Sequence, residues 1–119
     1  MDGHYILVVD DDAPTLLLIR HLLEDDGFSV QGARDGIEAI EIWDRGLPDL
    51  MITDLDIPRL GGAELVNELE SRGLGTFPVI VISGQDDFAE VADELSADAI
   101  RKPFDSDRLL KMVRSVSAA

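Results

Sequence analysis

Aspartates gather where apolar runs stop. Asp10, Asp11 and Asp12 follow Tyr5-Ile6-Leu7-Val8-Val9, and Asp54, with Asp56 two residues later, follows Leu50-Met51-Ile52-Thr53. Another apolar run, Pro78 to Ile82, ends at Ser83-Gly84, and Lys102-Pro103-Phe104 follows the weaker run Ala97 to Ile100. Carboxylates brought into one pocket raise one another's pKa values or require a cation. Oxygen ligands without sulfur or imidazole point to a hard ion such as Mg2+. The plain alternative is a solvated loop aspartate that caps a helix, and Asp12 is read that way.

The elements that must position these groups alternate. Tyr5 to Val9 is too continuously apolar for a half-exposed strand and reads as one buried on both faces, as in parallel sheets. Pro14 then suits a first helical turn, Leu16, Ile19, Leu22 and Leu23 follow at helical spacing, and Gly27 offers a stop. Phe28 to Gly32 is a second strand. Asp35 and Glu38 have the spacing of a capping box for a helix through Ile40 and Trp43, closed by Gly46 and Pro48. The third strand is Leu50 to Thr53, followed by a loop from Asp54 to Gly62 and a helix carrying Leu65, Val66 and Leu69. After Gly73 to Gly75 comes the fourth strand, Pro78 to Ile82, and then a helix marked by Phe88, Val91, Ala92 and Leu95. The fifth strand is Ala97 to Ile100, and Asp105 or Ser106 caps a last helix with Leu109, Leu110, Val113 and Val116 inward.

Such alternation with short loops demands parallel strands, right-handed crossovers and helices on both faces of one sheet. Periodicity leaves the strand order open, but five strands favour the flavodoxin-like order 2-1-3-4-5, a (βα)5 architecture. In that order the first and third strands are neighbours, so Asp10, Asp11 and Asp54 would share one pocket at the carboxyl ends, where open α/β sheets place ligands.

Composition narrows the function. At 119 residues and 45% hydrophobic content, residues 1–119 read as one domain, large enough to bury about two-thirds of the unfolded surface. The formal net charge of −15 argues against direct nucleic acid binding and against anionic membranes. The lack of cysteine removes thiolate nucleophiles and sulfur-ligated zinc and suits a reducing compartment. No basic and apolar leader opens the chain, and no apolar run approaches the roughly 18 residues of a membrane helix. The expectation is a cytoplasmic protein. His4 and His21 read as surface residues and Trp43 as core.

Val8-Val9-Asp10-Asp11-Asp12, the segment Asp54-Leu55-Asp56-Ile57-Pro58 with Gly61-Gly62, Ile82-Ser83-Gly84 and Lys102-Pro103-Phe104 together resemble the receiver domain of two-component response regulators of the chemotaxis-regulator kind. The resemblance spans essentially the whole chain. It implies that Asp54 is the phosphoacceptor, charged by a sensor histidine kinase or a histidine phosphotransfer protein, and that a downstream output domain or protein reads the result. It further implies that Asp11 binds Mg2+ directly, Asp10 directly or through water, Asp54 as the third carboxylate, and Asp56 through its backbone carbonyl. Ser83 would donate its hydroxyl to the phosphoryl group with the Gly84 amide beside it, Lys102 would pair with the phosphoryl oxygens, and Pro103 would follow a cis peptide. Such a domain assists its own phosphorylation and dephosphorylation without being an enzyme in the turnover sense. Phosphorylation would leave the pocket with about one net negative charge, which would draw Ser83 inward.

The chain departs from the family's pattern at Ala99, where an aromatic residue usually stands, so no ring follows Ser83 and the response would pass through the loop Gly84 to Asp87 and the helix near Phe88. The Gly-Ala pair usual before that position is missing, Ile57 replaces a common methionine, and Asp56 and Gln85 would influence phosphoryl lifetime. Two other classes compete. Asp54-Leu55-Asp56 also resembles the D-x-D motif of haloacid-dehalogenase-type phosphatases, but it follows a third strand rather than a first and an acidic pair precedes it. A receiver-like interaction module that works without phosphorylation is the other, and the intact acidic set argues against it. Ser83-Gly84 lacks the elbow of a serine hydrolase.

Overall fold

A computed structural model describes residues 5–55, 62–69, 71, 78–84 and 98–117. Among them are β1 (Ile6–Val9), α1 (Ala13–Asp25), β2 (Val30–Ala33), α2 (Gly36–Arg45), β3 (Leu50–Asp54), α3 (Gly62–Leu69), β4 (Val79–Ser83), β5 (Asp98–Arg101) and α4 (Ser106–Ser117). The five strands form one parallel sheet in the order β2-β1-β3-β4-β5. This is the expected flavodoxin-like arrangement. The expected helix at Phe88 to Leu95 lies outside the described residues.

The three central strands, β1, β3 and β4, are buried along their whole length because they are apolar up to their carboxyl ends, whereas the edge strands β2 and β5 carry the exposed Gln31, Asp98 and Arg101. The alternation of side chains sorts the apolar residues into two cores. Leu7, Val9, Met51 and Val81 meet Ala39, Ile42 and Trp43 of α2 and Leu65 of α3 on one face. Ile6, Val8, Leu50, Ile52, Ile80 and Ile82 meet Ile19 and Leu23 of α1 and Leu109 and Val113 of α4 on the other. Each fully buried Leu, Ile or Val contributes about 1.5–3 kcal/mol, so the central strands are the most firmly held part of the molecule.

Helix ends follow local chemistry. Asp12 is the N-cap of α1, accepting from the Thr15 amide at 3.1 Å and from the Thr15 hydroxyl, and a proline occupies the first turn. The helix closes at Asp26, and Gly27 takes φ +94°, a left-handed conformation that glycine adopts without a Cβ penalty. Asp35 caps α2 through the Glu38 amide at 2.8 Å, but the Glu38 carboxylate reaches the amide of Arg34 at 3.0 Å, one residue before the cap. Asp105 caps α4, accepting from the Asp107 amide at 3.2 Å. Strand ends differ from the sequence reading by one or two residues. Asp54 and Ser83 are the last residues of β3 and β4 rather than the first of their loops, and β2 begins at Val30 rather than Phe28.

Candidate functional site

The site lies at the carboxyl ends of β1, β3 and β4. Pairing aligns Val9 with Thr53 and Asp54 with Ile82, so the residues that follow or end these strands are level. Asp10, beyond the end of β1, is 1% exposed, Asp54 is 7% exposed and Ser83 is fully buried. Asp11 is exposed. Oxygens of Asp10, Asp11 and Asp54 all lie within 4.8 Å of one another. The adjacency expected from the strand order is therefore present.

Lys102 enters from the far side of the pocket. The β4–β5 ladder continues past Arg101 with the Lys102 amide donating to the Ser83 carbonyl at 2.9 Å. This fixes the start of the lysine side chain beside β4. Its Nζ donates to Asp54 Oδ2 at 2.7 Å and to Asp10 Oδ2 at 2.9 Å. The Lys102-Pro103 peptide is cis, as the family resemblance implied. Asp10 Oδ1 also accepts from the Asp12 amide at 2.9 Å.

Burial raises the Asp10 pKa, and the Asp12 amide and Lys102 pull it only part of the way back, with Asp54 adding a repulsion. Burial works against the Lys102 charge, yet its hydrogen bonds to Asp54 and Asp10 outweigh it and hold its pKa above the usual value. A lysine bridging two buried carboxylates leaves the three-carboxylate set short of positive charge. Oxygen-only donors gathered this closely fit a hard divalent cation.

Ser83 ends β4 beside Asp54 on β3, and the Thr53 hydroxyl donates to the Asp54 carbonyl at 2.9 Å. At Gly84 an added Cβ would stand 4.0 Å from Lys102 Cβ, so this residue borders the lysine. Ala99 is half-buried and packs against the core that holds Val81. Asp56, Ile57, Gln85 and the loop to Asp87 lie outside the described residues. His21 is exposed, Trp43 is in the core, and His4 lies outside the described residues. One residue at the site went unnoticed in the sequence: Arg34, whose Nη2 donates to the Asp11 carbonyl at 3.4 Å. The signal available was a cation directly after β2, which becomes informative only when β2 is known to flank β1.

Among the described residues no helix is long and apolar enough to cross a membrane. The family model of the response regulator receiver domain matches residues 6–114. The response regulator MprA of Mycobacterium leprae is 37% identical over 114 residues, covering 93% of this chain and 50% of MprA. The chain thus spans about half the length of the curated relatives it matches. The crystal structure of the receiver domain of NtrX from Brucella abortus superposes with a TM-score of 0.86 at 31% identity, covering 96% of this chain and 98% of that one. The chemotaxis response regulator CheY4 of Vibrio cholerae does so with a TM-score of 0.87 at 25% identity, covering 98% and 99%. These likenesses support neither the phosphatase nor the phosphorylation-independent reading. With its five-stranded fold, its acidic pocket and a family match over nearly its whole length, the chain belongs to the response regulator receiver domains, the signalling domains of two-component phosphorelays.

Proposed function

We propose that Asp54 is the phosphoacceptor of this receiver and that residues 1–119 work as one receiver domain. The observation that carries this reading is the placement of Asp54, 7% exposed at the end of a central strand and 2.7 Å from Lys102 Nζ. The phosphoryl donor would be the phosphohistidine of a sensor histidine kinase or of a histidine phosphotransfer protein. An Asp54 oxygen attacks phosphorus, the P–N bond breaks, and its electron pair leaves with the imidazole, which takes up a proton. The Lys102 ammonium, already aimed at Asp54, turns its donors to the phosphoryl oxygens. Ser83 and the Gly84 amide donate from the end of the neighbouring strand, drawn by the added charge of about −1.5 to −2 on the phosphoryl group.

Asp10, Asp11, Asp54 and the backbone carbonyl of Asp56 would hold Mg2+, which when bound supplies the remaining positive charge against the transferring group. The domain is not a turnover enzyme in this reading. It assists its own phosphorylation and the later hydrolysis, and its change of conformation controls a downstream output domain or protein in the cytoplasm. The net charge of −15 argues against direct nucleic acid or anionic membrane contact by this segment.

Incubation with acetyl phosphate and Mg2+, followed by intact mass measurement, should add one phosphoryl group to the wild type and none to Asp54→Asn. Undiminished incorporation by the variant, mapped to another residue, overturns the assignment.

A further inference from the structure

We infer that Arg34 is a positioning residue for the cation pocket, holding the loop that presents the Asp11 carboxylate. The inference rests on the reading of Asp11 as a cation ligand given above. The other two carboxylates are anchored from inside: Asp54 by Lys102, and Asp10 by Lys102 and the Asp12 amide. Asp11 is exposed and stands just beyond the last rung between β1 and β2, where the Asp10 amide donates to the Ala33 carbonyl at 3.0 Å. The next residues beyond that rung are Asp11 and Arg34. Across that gap the guanidinium of Arg34 donates to the Asp11 carbonyl at 3.4 Å.

Arg34 is itself fixed at its base. Its amide donates to Glu38 Oε1 at 3.0 Å, and Asp35 caps the same helix turn. That helix, α2, is seated in the core by Ile42 and Trp43. Asp11 is thereby held between two anchored points, the N-cap Asp12 on one side and the Arg34 contact on the other. The contact is long for a hydrogen bond and lies at the surface, so its effect on affinity is modest.

Charge and positioning make opposite forecasts. By Coulomb's law alone, a guanidinium beside the carboxylates repels a divalent cation, so removing it would tighten binding. If Arg34 positions Asp11, removing it weakens binding. The contact uses one N–H on one carbonyl, so lysine can replace it in part, although it would not at a bidentate site.

The test is a Mg2+ titration followed by amide NMR on the wild-type chain, Arg34→Ala, Arg34→Lys and Asp11→Ala. Arg34→Ala should bind Mg2+ about two- to fivefold more weakly, the worth of one marginal hydrogen bond, and Arg34→Lys should return towards wild type. The ratio should persist in about 0.5 M KCl, where a through-space charge effect is screened. Before any Mg2+ is added, the amides of Asp11 and Asp12 should shift in Arg34→Ala while those of β3 and β4 stay in place. Unchanged or tighter binding by Arg34→Ala, with Asp11→Ala weakened, overturns the role of Arg34 alone. A lysine variant no better than alanine also counts against it. Wild-type affinity in both Arg34→Ala and Asp11→Ala removes Asp11 as a ligand and this inference with it.

Discussion

Lys102 reconciles two carboxylates that the fold has nearly removed from water, one 1% and the other 7% exposed. Breaking a buried ion pair by removing one partner costs more than the pair contributed, because the remaining charge is stranded. In a metal-free solution at pH 7, Lys102→Ala should therefore lose about 1–3 kcal/mol of stability in urea unfolding, less than a fully buried pair would because the lysine side chain keeps some solvent access. Adding Asp10→Asn to that variant should recover much of the loss, since a neutral amide needs no counter-charge. A double variant no more stable than Lys102→Ala would show that the lysine acts by packing. The candidate residues Asp10, Asp11, Asp54, Ser83 and Lys102 were legible because each stands where an apolar run stops. Arg34 was not, because its partner is the carbonyl of a residue on a different strand-end loop, and a backbone acceptor leaves no mark in the sequence.

The helices are tied to one another as well as to the sheet. Arg114 near the end of α4 donates through Nε to Asp26 Oδ2 at 2.8 Å and through Nη2 to Asp26 Oδ1 at 2.5 Å, joining the C-cap of α1 to α4 across the surface. The arginine hydrogen bonds lower the Asp26 pKa below its usual value. A carboxylate held lower in the folded state contributes stability that is full above its unfolded pKa, about 3.9, and is lost as pH falls through the folded value. The melting temperature of Arg114→Gln should therefore lie below wild type at pH 7, and the gap should close as pH falls through and below about 4. Added salt should narrow it too, because the pair is exposed. A gap unchanged at low pH would assign the effect to the arginine stem rather than to the charge pair. Neither this pair nor the strand ends could be read beforehand. Ladder length is set by the neighbour: the Leu55 amide donates to the Ile82 carbonyl and the Lys102 amide to the Ser83 carbonyl, so β3 and β4 run through Asp54 and Ser83. Among the described residues, element type and chain order were legible from apolar runs and caps. The order of the strands was favoured by their number but not given by periodicity.

The molecule as a whole is strongly acidic, and its ten basic residues are unevenly placed. Five of them lie from Arg101 onward, where only two of the 25 acidic residues stand. Self-repulsion therefore falls on the part of the chain that contains the carboxylate pocket, and screening it should stabilise the fold. Two effects of Mg2+ must then be separated, a general one on the acidic surface and a local one at Asp10, Asp11 and Asp54. KCl should raise the melting temperature of wild type and Asp11→Ala alike. At matched ionic strength, Mg2+ at about ten times its dissociation constant should add a further increment of about 1.4 kcal/mol, or roughly 5 °C, to the wild type. Asp11→Ala should keep the salt response and lose most of the increment, and a chelator should reverse it in the wild type. Equal responses to Mg2+ and matched KCl in the wild type would mean that the pocket does not take the ion. A full increment in Asp11→Ala would place the binding elsewhere on the acidic surface, because a site built from three oxygens within 4.8 Å cannot lose one of its carboxylates without losing affinity.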